Sequence, residues 1–158
     1  MPERDVGAAP PSKEPAPAKY RRPADDLVRR AARRVVRGGK ASFPSQAAFL
    51  GAVVDAVRNE DPLAALGGFR LRRLVVGLPG VRLSVRYAER PGREPATECP
   101  VCGSELAPIR NQTLTGGTVV LGQRCVRCDY WCHVHRRVPV RYSFSGSRAG
   151  NRSKRRPG

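Results

Sequence analysis

Two cysteine pairs at close spacing constrain this chain more than anything else in it. Cys99-Pro100-Val101-Cys102-Gly103 is followed, after 21 intervening residues, by Cys125-Val126-Arg127-Cys128. Two such CxxC knuckles suit four thiolates converging on one tetrahedral ion, and zinc is the ion that takes this ligand set. Each knuckle must turn tightly so that its two sulfurs and nearby backbone N–H groups face the same side. Gly103 permits the positive φ that such a turn uses. The expectation is one structural Zn2+ held by Cys99, Cys102, Cys125 and Cys128. Cys132 brings the cysteine count to five. An odd, clustered set fits metal binding in a reducing cytoplasm better than a disulfide scaffold.

Between the knuckles, Glu105–Leu114 and Thr118–Arg124 read as strands joined by a Thr115-Gly116-Gly117 hairpin turn. Tyr130–Tyr142 reads as a third strand. Its parity puts Tyr130, Cys132, Val134, Val138, Val140 and Tyr142 on one face. Trp131, His133, His135, Arg137 and Arg141 fall on the other. Cys132 is then a small buried hydrophobe. His133 as a substitute ligand is the weaker alternative to the four cysteines. Trp131 either stacks on a base or covers part of the module. Residues 99–142 resemble a zinc ribbon, a family found in transcription factors, RNA polymerase subunits and ribosomal proteins.

Upstream, residues 25–90 read as three helices and a strand. In helix 1, Leu27, Val28, Ala31, Ala32, Val35 and Val36 share one half of the wheel. Arg29, Arg30, Arg33, Arg34 and Arg37 fill the other half, and Gly38-Gly39 ends the helix. Helix 2 opens at Ser42-Phe43-Pro44-Ser45 and carries a Leu50, Val53, Val54, Val57 stripe. Helix 3 spans Phe69–Leu78, with Leu71, Leu74, Val75 and Leu78 inward and Arg70 and Arg73 outward. Val81–Tyr87 alternates strictly, with Arg82 and Arg86 on its polar side. Three short helices and a strand follow the element order of a winged helix. The strand would pair with the Ala41-Ser42-Phe43 stretch, and helix 3 would be the recognition helix. The bland alternative is a helical platform that buries the flank of the metal module.

The fold class expected is therefore α+β, a winged-helix-like module at 25–90 followed by a three-stranded antiparallel zinc ribbon at 91–142. A Pro/Ala-rich arm at 1–24 and a basic tail at 143–158 are expected to be disordered. The tail has five basic residues and no acidic one, among them Lys154, Arg155 and Arg156. The chain also resembles small archaeal proteins that join a winged-helix-like half to a C-terminal zinc ribbon. Pro79-Gly80-Val81-Arg82-Leu83, Ile109-Arg110-Asn111 and Leu121-Gly122 carry that likeness. It implies architecture rather than an activity.

A formal net charge of +17 points to a polyanion partner. The expected partner is nucleic acid, with DNA ahead of rRNA and a transcription or ribosomal protein as a further associate. The arginines of helix 1 named for contact are Arg29, Arg30, Arg33 and Arg37. Arg70, Arg73, Arg82, Arg86, Trp131, Arg137, Arg141 and the tail's basic run join them. An enzyme, such as a thiol oxidoreductase, ranks last. The two histidines fall close together on one expected strand, and no Gly-rich phosphate loop or small-molecule site is recognisable. No apolar run is long enough to cross a membrane, and no secretory signal opens the chain.

Overall fold

A computed structural model of the protein describes residues 20–38, 42–91, 96–133 and 135–147. The first expected arm, to residue 19, and the basic run from 148 lie outside these residues. Helix α1 (Asp25–Arg37) begins with Asp25 and Asp26 in its first turn and buries Val28, Ala31, Ala32 and Val36. A two-residue strand β1 (Ser42–Phe43) leads into α2 (Gln46–Arg58), where the Ser45 side chain accepts from the Ala48 N–H at 3.2 Å. The buried positions of α2 are Phe49, Val53 and Val57, so the stripe leads with Phe49 rather than Leu50. Helix α3 (Gly68–Val75) is shorter than its periodicity suggests and buries Leu71, Leu74 and Val75.

Six strands complete the fold. Besides β1 they are β2 (Val81–Arg90), β3 (Leu106–Gln112), β4 (Thr118–Cys125), β5 (Trp131–Cys132) and β6 (Arg136–Gly146). They form two antiparallel three-stranded sheets, ordered β1-β6-β2 and β3-β4-β5. The architecture is α+β.

The expected pairing of β1 with β2 is corrected here, because β6 lies between them, with Phe43 opposite Phe144 and Leu83 opposite Phe144. The reason is packing. Phe144 is 1% exposed and stacks on Phe49 with ring centroids 4.3 Å apart. A sheet that left it out would leave the helices without their largest partner. The segment expected as a disordered tail from 143 thus begins with ordered strand through Gly146. The expected continuous strand Tyr130–Tyr142 is likewise two strands, β5 on β4 and β6 on β2.

Two clusters of buried residues sit on this frame. One joins α1, α2 and α3 to Phe43, Val81 and Phe144. The other gathers Val76, Val101, Leu106 and Tyr130 around the cysteines. Leu83 of β2 and Tyr142 of β6 pack against both. Residues 20–24, expected within the arm, are tied down. Arg21 bridges Ala64 in parallel, and its guanidinium grips Asp61 at 2.8 Å.

Candidate metal centre and basic surfaces

The first knuckle turns at Gly103, where φ is +69°. Its N–H donates to Cys99 O at 2.7 Å, and the Cys99 N–H donates to Ser104 O at 2.8 Å. In the second, the N–H groups of Arg127 and Cys128 point at Cys125 Sγ from 3.3 and 3.4 Å. These donors favour thiolate on a sulfur that burial otherwise keeps protonated, and burial prevails, holding the Cys125 thiol above its ordinary value.

The hairpin then closes the two knuckles on one another. Leu106 faces Cys125 across β3 and β4, and the Cys125 N–H donates to Tyr130 O at 2.8 Å. All four sulfurs lie within 4.8 Å of one another. Cys99–Cys128 and Cys102–Cys125 separations are both 3.5 Å, and Cys102–Cys128 is 3.8 Å. A tetrahedral ion with metal–sulfur bonds of about 2.3 Å separates its ligands by about 3.8 Å. A disulfide would need about 2.05 Å. The donor set therefore fits a single metal ion. The protonated thiol of Cys128 at Cys99 pulls Cys99 down to about 5, while the same contact pushes Cys128 up. A bound ion would take the place of those shared protons, since each ligand must be a thiolate.

The other cysteine and the histidines stay out of the cluster. Cys132 is buried in the second core. A Cβ on Gly122 would overlap the Cys132 carbonyl, which is why β4 can carry only glycine there. His133 Nδ1 lies 3.2 Å from Leu121 O, and its ring sits 4.8 Å from Trp131.

The arginines named from the sequence fall into three groups. Arg82, Arg86 and Arg141 are exposed on the outer face of β2 and β6, and Arg86 stands directly opposite Arg141. On α1, Arg30 and Arg34 share Glu60 at 3.4 Å each, Arg29 pairs with Asp26 at 3.0 Å, and Arg33 donates to Pro79 O. The arginine half thus has acid partners that its own helix does not fully reveal. Arg37 lies beside Arg33 and Arg34 in a shallow basin on the same helix.

The third group departs from expectation. Arg70 does not face outward. Its side chain is 19% exposed, bonded to Asp25 and donating to Pro23 O at 2.6 Å. Asp25 is held below its ordinary value by that bond. Arg72 is committed to the first knuckle, donating to Val101 O at 3.1 Å and lying 4.2 Å over the Tyr142 ring. Phe69 meets Gly103. Helix α3 is therefore docked on the metal module, and of its three arginines Arg73 is the exposed one.

Arg137 is also displaced from its expected wet face. It lies between Tyr87 at 4.3 Å and Trp131 at 4.2 Å, and donates to Trp131 O. A bulge between Arg86 and Tyr87 is the cause. Arg86 pairs with Arg141 but Tyr87 with Pro139, so Val140 is the extra residue and side-chain parity reverses beyond it. Val140 is accordingly 55% exposed. Trp131 keeps 43% exposure with one ring face taken by Arg137. Lys154, Arg155 and Arg156 lie outside the described residues.

No family model matches the chain, and neither curated proteins nor solved structures give a match. Among the described residues, no helix is long and apolar enough to cross a membrane.

Proposed function

We propose that this is a zinc-stabilised, nucleic-acid-binding protein that grips phosphate backbone, with duplex DNA as its preferred ligand. The observation that carries the reading is the Arg86–Arg141 pair. Like charges directly opposite one another weaken a strand pair. Among the described residues neither arginine has an ion-pair partner. A polyanion along that face offsets the repulsion and releases its own counterions. Contacts of this kind position a protein on a duplex rather than read its sequence.

The order α1-β1-α2-α3-β2, with β6 between β1 and β2, supports a winged-helix-like frame into which the metal module is inserted before the last strand. The knuckles and β3-β4-β5 support the zinc-ribbon reading, with zinc as the ion for four sulfurs. Such a frame suits a transcription-associated protein. The ribosome-associated RNA alternative rests on Trp131 as a stacking platform, and Arg137 over that ring favours DNA instead. Four sulfur ligands leave a tetrahedral ion no open position, so the protein is read as a binder and not an enzyme.

The test is a salt titration of affinity for duplex DNA and for structured RNA of equal charge. Arg86→Ala/Arg141→Ala should lower the log–log slope on duplex DNA by about 1.8, at about 0.9 per lost phosphate contact. An unchanged slope and affinity removes the sheet face from the reading. Tighter binding to RNA, abolished by Trp131→Ala, establishes the alternative.

A further inference from the structure

We infer that the cleft between α1, α3 and the second knuckle is a seat for one phosphate group, supplied by the nucleic acid on which the proposed function rests. The cleft has a volume of about 580 Å³ and is lined by arginines from four parts of the chain. Arg22 precedes α1, Arg29 lies on it, Arg70 and Arg73 come from α3, and Arg127 sits inside the second knuckle. Asp25 is the lining carboxylate, and it is already bonded to Arg70. Arg29 is occupied by Asp26. Among the described residues, Arg22, Arg73 and Arg127 have no ion-pair partner.

Arg70 supplies the second, independent observation. Its Nε and Nη1 are buried and meet no acceptor among the described residues. Buried donors without acceptors are costly and rare. Gathering like charges in a part-enclosed seam adds repulsion that open water would otherwise screen. A phosphate relieves that repulsion, and its charge compensates the Arg70 guanidinium from the cleft without touching the enclosed Nε and Nη1. It carries negative charge, and its oxygens match the forked donors of guanidinium groups. A solvated, purely solubilising set of arginines would instead be spread over convex surface.

The position of Arg127 couples this seat to the metal. Its own N–H is aimed at Cys125 Sγ, 3.3 Å away. The seat is complete only while the second knuckle closes on the first, which docks on α3 through Phe69 and Arg72. Loss of the ion should therefore dismantle the phosphate seat while leaving the arginines of α1 and β2 in place.

The experiment uses the full, zinc-loaded chain. Binding of inorganic pyrophosphate is measured by calorimetry, and binding of oligonucleotides with and without a 5′-phosphate by anisotropy at matched salt. Arg73→Gln/Arg127→Gln should weaken pyrophosphate about tenfold, the loss expected for one or two charge-assisted bonds. Arg110→Gln/Arg124→Gln removes equal charge from the exposed β3–β4 hairpin and should change it less than about twofold, because distant surface charge is screened. Arg22→Gln, at an exposed residue outside every helix and strand, should weaken it without disturbing the fold. Chelation of the metal should abolish the difference between the pairs. Equal weakening by both pairs, or no pyrophosphate binding, overturns the seat. Nucleic-acid binding that survives those results leaves the proposed function standing. Pyrophosphate binding in the cleft with no nucleic-acid binding does the reverse. A 5′-phosphate that raises affinity through Arg73 and Arg127 identifies a strand end as the source, and no such gain identifies an internal diester.

Discussion

Around Phe144 the chain is held by large apolar side chains, and around Cys102 it is held by sulfur. The first cluster combines Phe43, Phe49 and Phe144 with valines and leucines from three helices. The second has Tyr130, Leu106 and two valines besides its cysteines. Beyond the knuckles, the β3–β4 hairpin projects with Val119, Val120 and Leu121 exposed. A cluster so small cannot offset the entropy of ordering some forty residues, at roughly 1–2 kcal/mol each. The helical half has a core of the size that folds on burial, while the other half is expected to need a bound ion. Leu83, Tyr142 and Arg72 show how the two are joined, since they contact both.

Removing the ion should break this contrast most severely. Metal binding in small zinc domains amounts to about 10–16 kcal/mol, most of it folding energy. Chelation, or Cys125→Ser, should abolish amide-exchange protection across 99–132 while α1 and α2 keep theirs. Metal content per chain and residue-resolved exchange check this, with Cys132→Ser retaining the ion. Simultaneous loss of protection in α1 would mean that the halves fold as one unit. The next effect in size comes from the other side. Phe144→Ala leaves a cavity against Phe49 and should cost about 3–5 kcal/mol. Thermal melting by helical circular dichroism reads that loss. The ion should stay bound below the new midpoint, and its release there would show that the metal half leans on the apolar one.

The sequence made some of this legible and hid the rest for physical reasons. The knuckles are local, and their spacing alone foretold four sulfurs together. The apolar stripes of α1 and α3 were readable because a helix repeats its face every few residues. Phe144 was not, since it is flanked by serines near the end of the last strand, and its worth lies in Phe49, far away in sequence. The bulge at Val140 was equally silent. Strand parity assumes an unbroken ladder, and one extra residue turned Arg137 from solvent to the Tyr87–Trp131 slot. Arg70 follows the same lesson. Its helical position points away from the stripe, but the acid that claims it sits at the start of another helix.

The smallest effect concerns the segment before α1, which is held neither by a core nor by a metal. Arg21 anchors it through Asp61, with Nε donating to the two carboxylate oxygens at 2.8 and 3.0 Å. That hydrogen bond, with help from the guanidinium charge, holds Asp61 below the ordinary carboxylate value against the opposing pull of burial. A carboxylate with a lower pKa in the folded than in the unfolded chain contributes its full stabilisation above the unfolded value of about 3.9, and that contribution disappears as the pH falls through the folded one. Acid should therefore release residues 20–24 progressively from about pH 4 downward. The reporters are the Arg21 N–H, which donates to Leu63 O, and the Ala65 N–H, which donates to Arg21 O, each at 2.9 Å. Their exchange protection should fall with acid in the wild type. In Asp61→Asn it should already be low at neutral pH and change little on acidification. If both proteins lose protection at the same pH, the ion pair does not hold the segment, and the buried Pro23, with its carbonyl accepting from Arg70, carries it instead.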